Sequence, residues 1–199
     1  AIESVGGVDA AKRVQAGEAF DVVILASDAI DKLIATGHID PTSKVNLVNS
    51  GVAVAVRSGA VPPDISSEAS VKAAVLATKT LSYSTGPSGV ALAKLFERWG
   101  IAEQLKPRIV VPPPGTPVGA LVAKGEVALG FQQLSELIAL PGIEVLGTLP
   151  TEVAYITTFS SAVPAVIAQD SARVQAVQSF LKFLASADVE DIKRRQGMD

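Results

Sequence analysis

The sequence contains no cysteine, which excludes a disulfide framework, a thiolate zinc knuckle and a thiol nucleophile. The same absence fits an oxidising compartment. There is a single histidine, His38, beside Gly37 where a helical pattern stops, and it reads as a solvated turn residue rather than a general base. No apolar run reaches the ~18 residues of a membrane span. Runs of positive charge are missing too: the formal net charge is −3, and Lys193-Arg194-Arg195 stands alone near the end. Such a trio in a last helical turn complements the helix dipole, so nucleic acid is not an expected partner. The carboxylates Glu18, Asp21 and Asp28 lie near one strand end, with Asp28 placed to cap the next helix. Ser27 and Ser88 have no base at a readable spacing. The expectation is therefore a binding protein, not an enzyme, without metal or cofactor.

What the chain does have is aliphatic mass in an alternating rhythm. Hydrophobic residues make up 48% and aromatics 5% of the sequence, the composition of an α/β protein. Residues 2–5 read as a strand, Gly6-Gly7 as a loop, and residues 8–16 as a helix stopped by Gly17. Residues 20–25 form an unbroken apolar run, the pattern of a buried parallel strand, ending at Ala26-Ser27-Asp28 before a helix over 29–35. In open sheets of this kind, ligands bind beyond the carboxyl ends of strands.

Residues 44–57 are too long for a typical strand, and Asn49-Ser50-Gly51 interrupts them. A second long extended stretch covers 144–149 and 153–159. Between the two runs lies a further α/β unit: helix 67–77 from a Ser cap, strand 80–84, a helix after Pro87, and strand 108–111. Pro112-Pro113-Pro114-Gly115 then leads to helix 118–123, strand 127–131 and helix 134–140. Terminal helices follow, the longer over 172–184. Two extended crossings around a complete unit imply an inserted domain, with residues 1–52 and 155–199 as lobe one and 53–154 as lobe two. The crossings are expected to act as a hinge.

The central stretch is Ser82-Tyr83-Ser84-Thr85-Gly86-Pro87-Ser88-Gly89, running into a helix with Leu92, Leu95, Phe96 and Trp99 on one face. Proline at the first helical position needs no N–H. The following N–H groups, with the macrodipole behind them, form a receptor for an anion. The alternative is an ordinary joint capped by Ser or Thr.

Several stretches together carry a family resemblance: residues 14–28, Pro87-Ser88-Gly89, residues 117–121 and the closing 193–198. In that order and spacing the chain resembles a periplasmic solute-binding protein of an ABC importer, of the molybdate-binding type. The resemblance implies two Rossmann-like lobes with a ligand cleft between them, a type II periplasmic binding fold. It implies a small oxyanion or carboxylate as ligand, a membrane permease as partner and a periplasmic location. The site residues it implies are Gly6, Gly7 and Ser27 in lobe one, and Ser88, Gly89, Pro117, Val118 and Gln133 in lobe two. Against the family pattern, Gly6 and Gly7 offer only backbone N–H, Pro117 has none, and Gln133 replaces a tyrosine. The family's first strand and helix have no counterpart in the sequence, which begins at Ala1 without initiator Met or leader; a preceding segment is expected. The amides of Gln132 and Gln133, expected to face the same side as Ser88, suit a small carboxylate bearing a hydroxyl or protonated carboxyl better than molybdate. A ligand-sensing regulatory domain of a longer protein is the alternative function.

Overall fold

Strands and helices alternate along the chain wherever aliphatic runs are punctuated by small-residue loops. The computed structural model describes residues 1–113 and 116–199; Pro114 and Gly115, inside the proline-rich connection, lie outside the described residues. Helix α1 (Gly7–Gln15), strand β1 (Val23–Ala26) and helix α2 (Ser27–Ala35) come first. Strand β2 (Val45–Arg57) leads to α3 (Glu68–Ala77), β3 (Leu81–Tyr83) and α4 (Pro87–Arg98). The short α5 (Ala102–Leu105) precedes α6 (Val118–Lys124), β4 (Leu129–Gln133), α7 (Leu134–Leu137) and β5 (Ile143–Thr148). Strand β6 (Ile156–Ala162) and helices α8 (Ser171–Leu184) and α9 (Glu190–Arg195) complete the order.

The chain divides into two units. Unit one comprises residues 1–49, 158–195 and 199; unit two comprises 50–157 and 196–198. In unit one, β1 pairs antiparallel with β6, from Val23↔Ala162 to Ala26↔Phe159. Its core gathers Val14 of α1, Val23 and Leu25 of β1, and Ile30 and Leu33 of α2 around Ile39. Helix α8 adds Val177 and Leu181 against Val163 and Ile167.

In unit two, β4 is flanked by β3 on one side and β2 on the other. The β3 pairing is parallel, Leu81↔Leu129 to Tyr83↔Phe131; the β2 pairing is antiparallel, Val52↔Gln133 to Ala55↔Gly130. Strand β5 pairs with the outer side of β2 across an irregularity at Val54/Ala55. Because side chains alternate along a strand, the two faces carry different cores. One face sets Val52, Val54, Leu81, Leu129 and Phe131 against Val71 and Val75 of α3 and Leu92 and Phe96 of α4. The other sets Ala53 and Ala55 against Leu137 of α7. There α6 lies so close to β4 that a Cβ at Gly130 would stand 2.5 Å from Val122 Cγ2.

Helix α3 starts where its sequence says it should, with Ser67 Oγ accepting from Ser70 N at 3.1 Å. Ser67→Ala is expected to lower stability by about 1 kcal/mol, read as a shift of the urea midpoint at constant slope; an unchanged midpoint would show the cap to be idle.

Several local expectations are corrected by the structure. Residues 2–5 form no strand, and Ile2 is 96% exposed: a strand needs a hydrogen-bonded neighbour, and no described residue supplies one. The segment is tied instead by Arg13, which binds Glu3 at 2.7 Å, pairs with Glu18 and lies over the Phe20 ring. The apolar run 20–25 is not a buried parallel strand; β1 is short and antiparallel to β6, with Ile24 turned outward at 45% exposure while Val23 and Leu25 face the helices. Asp28 does not cap α2; Ala26 holds that position and Asp28 lies one turn before its partner Lys32. Residues 108–111 reduce to a single bridge, Leu81↔Ile109, because the prolines that follow have no N–H to extend a ladder. Residues 45–57 run as one unbroken strand through Asn49-Ser50-Gly51.

Candidate functional site

The helices of this protein start in two ways. Those capped by a side chain are α3, by Ser67, and α8, where Asp170 accepts from Arg173 N at 3.1 Å. Helices α1, α2, α4, α6 and α7 start at Gly6, Ala26, Gly86, Pro117 and Gln133, with no side-chain capping bond. Of these, α2, α4 and α7 follow a strand directly, which places their N-termini beyond carboxyl ends.

In unit one, Gly6 is the N-cap of α1, its carbonyl accepting from Asp9 N and Ala10 N at 2.9 Å. Gly7 is the first helical residue, close to the Leu25 side chain at the end of β1. Ser27 is the first residue of α2. These three therefore sit at two uncapped helix starts of the same unit.

Unit two holds the richer constellation. Pro87 occupies the first position of α4 as its fixed φ and missing N–H favour. Val90 N is engaged by Gly86 O at 3.1 Å, leaving the N–H groups of Ser88 and Gly89 without a partner among the described residues. The hydroxyl of Ser88, a residue 4% exposed, meets that of Ser84 at 2.8 Å. The chain passes so close here that a Cβ on Gly89 would lie 1.6 Å from Ser84 O; only glycine allows this joint. Donors at a helix N-terminus with adjacent hydroxyls suit a carboxylate or similar oxyanion.

Pro117 is exposed at the N-cap of α6 and supplies no donor. The side chain of Val118 is in the core with Leu121 and Val122, so its polar group at the helix start is the backbone N–H. The next donor, Gly119 N, is taken by Gln132 Oε1 at 3.3 Å.

The two glutamines do not face the same side. Gln132 points to the α6 face, where it also hydrogen-bonds the Glu136 carboxyl. Gln133 continues the α4 face beyond Phe131; its Nε2 donates to Thr157 Oγ1 at 2.5 Å, and its Oε1 is buried without a partner among the described residues. Alternation along β4 forces this split. Glu136 is exposed as a residue, yet crowding of its carboxyl raises its pKa above the ordinary glutamate value against the opposing bond from Gln132. Sequence reasoning missed Ser84 as the partner of Ser88 and Thr157 as the partner of Gln133; Ser84 was legible as the neighbour of the Pro87 turn, whereas nothing in the sequence joins Thr157 to Gln133.

Two α/β units linked through extended strands, with uncapped helix starts beyond their sheets, define a type II periplasmic binding fold. Solved structures share it. The periplasmic molybdate-binding protein of Azotobacter vinelandii matches with a TM-score of 0.77 at 17% identity, covering 100% of this chain and 86% of that one. The substrate-binding domain of a putative molybdenum ABC transporter from Clostridium difficile matches at 0.72 and 16%, covering 100% and 85%. The chain belongs to the family of bacterial extracellular solute-binding proteins, whose model matches residues 1–199. A curated relative from Pseudomonas sp, named aconitate isomerase, is 40% identical over 179 residues, which is 88% of this chain. The chain spans 66% of that relative's length.

That relative overturns the expectation of a protein that is not an enzyme. That expectation rests on the sequence offering no nucleophile paired with a base, no histidine base and no metal cluster. Isomerisation of a carboxylate requires none of these as such: groups that hold the carboxylates and one proton acceptor are enough.

Proposed function

We propose that this chain binds a small polycarboxylate of the aconitate class and takes part in its isomerisation. The observation that carries the reading is the 40% identical aconitate isomerase. Supporting it, unit two offers the N–H groups of Ser88 and Gly89 and the Ser84–Ser88 hydroxyl pair to a carboxylate. Val118 N–H and Gln133 of the same unit complete the proposed set. Isomerisation of a propene tricarboxylate by proton shift takes a proton from the methylene carbon. The C–H pair becomes the new double bond, and the old π pair binds a proton at the former vinylic carbon. The base that takes this proton works ionised, so turnover falls as pH drops through its pKa.

Nuclear magnetic resonance of trans-aconitate incubated with the protein in deuterated water tests this. The expected result is conversion to the cis isomer with deuterium at the methylene carbon. Ser88→Ala should weaken binding about 10-fold, the worth of one hydrogen bond to a charged ligand. Absence of both binding and conversion would sink the reading. A second reading rests on the family and on the transporter-associated neighbour: extracytoplasmic capture of the same ligand for delivery to a membrane permease. Binding without conversion would leave that reading alone standing.

A further inference from the structure

We infer that Gln133 and Thr157 form an element that reads a hydrogen-bond donor on the ligand. The free Oε1 of Gln133 accepts from an O–H that the ligand carries beside a carboxylate, so the site prefers a hydroxylated or singly protonated polycarboxylate to a fully ionised one lacking a hydroxyl. The inference rests on the carboxylate reading above and narrows its substrate class: aconitate, which has no hydroxyl, is taken singly protonated.

Three observations carry it. Gln133 is 5% exposed and its Oε1 has no partner among the described residues, while Thr157, itself 6% exposed, holds Nε2 at 2.5 Å. Buried acceptors are nearly always paired, so an unpaired one calls for an explanation. The adjacent amide is the internal contrast: Gln132 is engaged at Gly119 N and at Glu136. Finally, Gln133 extends the face of β4 on which Leu129 and Phe131 pack against α4, and it does so at the carboxyl end, where β3 and β4 run parallel and α4 begins. The N–H donors of Ser88 and Gly89 satisfy negative oxygens. An amide oxygen on the same face repels such oxygens unless an O–H stands between. If the amide were reversed, Nε2 would face the ligand, Oε1 would accept from the Thr157 hydroxyl, and the fully ionised ligand would be preferred.

Calorimetry with citrate and with propane-1,2,3-tricarboxylate separates the two sources of the O–H, since both carry three carboxylates and citrate alone has a hydroxyl. At about pH 8, citrate is expected to bind about 10-fold more tightly, the worth of one hydrogen bond. At about pH 5.5 the gap closes, because propane-1,2,3-tricarboxylate then binds with uptake of about one proton, read from two buffers of different ionisation enthalpy. Gln133→Met removes both the preference and the uptake. Should that variant fail to fold, Thr157→Val decides: it frees Nε2, lets the amide turn, and is expected to reverse the preference. Equal affinities with no proton uptake, or a preference that survives in Gln133→Met, overturns the inference and leaves the carboxylate reading intact. If neither tricarboxylate nor aconitate binds, both fall together.

Discussion

Replacing Gly89 by alanine is expected to abolish high-affinity ligand binding and to destabilise unit two. The added Cβ would lie 1.6 Å from Ser84 O, 2.7 Å from Ser84 C and 3.1 Å from Tyr83 Cδ2. The first two are backbone atoms, so no rotamer change relieves the overlap. The loop must withdraw from α4, which separates the Ser84 and Ser88 hydroxyls now 2.8 Å apart and moves the N–H groups proposed to receive the anion. Overpacking against backbone costs about 1–3 kcal/mol or more, and losing two charge-assisted hydrogen bonds weakens binding by about 100-fold or more. Calorimetry and thermal melting of Gly89→Ala beside Val90→Ala, whose side chain is exposed in the same turn, measure the two effects. Wild-type affinity in Gly89→Ala would falsify the placement of the site at this joint.

The largest effect on stability is expected from Phe96→Ala. Phe96 is 1% exposed at the middle of the larger core of unit two. Its ring centroid lies 5.9 Å from Tyr83 and from Trp99 and 6.4 Å from Phe131. Truncation removes these contacts and leaves a cavity between β3, β4 and α4, for a cost of about 3–5 kcal/mol. Domains are stable by only about 5–15 kcal/mol, so the variant is expected to unfold at a much lower urea concentration. It also loosens the helix whose first turn holds Ser88 and Gly89, so ligand affinity should fall with stability. A loss below about 1 kcal/mol would mean that Phe96 is not the keystone of this cluster.

Much of this was legible from residue order alone. Helix α4 begins at Pro87 because proline can occupy a first helical turn and little else there, and its buried face follows from the spacing of Leu92, Leu95 and Phe96. Ser67 and Asp170 mark helices closed by their own side chains, whereas Gly86, Ala26 and Gly6 mark helices left open. That contrast is written in cap chemistry, which is local. The strand reading was weaker where neighbours decide. Residues 20–25 look buried on both faces, yet β1 hides Val23 and Leu25 and exposes Ile24. A strand's surroundings depend on which other strands pair with it, and an apolar run does not carry that information.

The same division holds at the site. The sequence by itself determined the α/β rhythm, the Pro87 helix start, the glycine at 89 and the absence of cysteine. All of these depend on bonds or contacts within a few residues. Only the tertiary structure decided that Gln132 and Gln133 part company, one engaged at Gly119 and Glu136 and the other held by Thr157, 24 residues away. Pleat, register and helix packing bring such groups together, and these are set by the pairing of β2, β3 and β4, contacts between residues far apart in sequence.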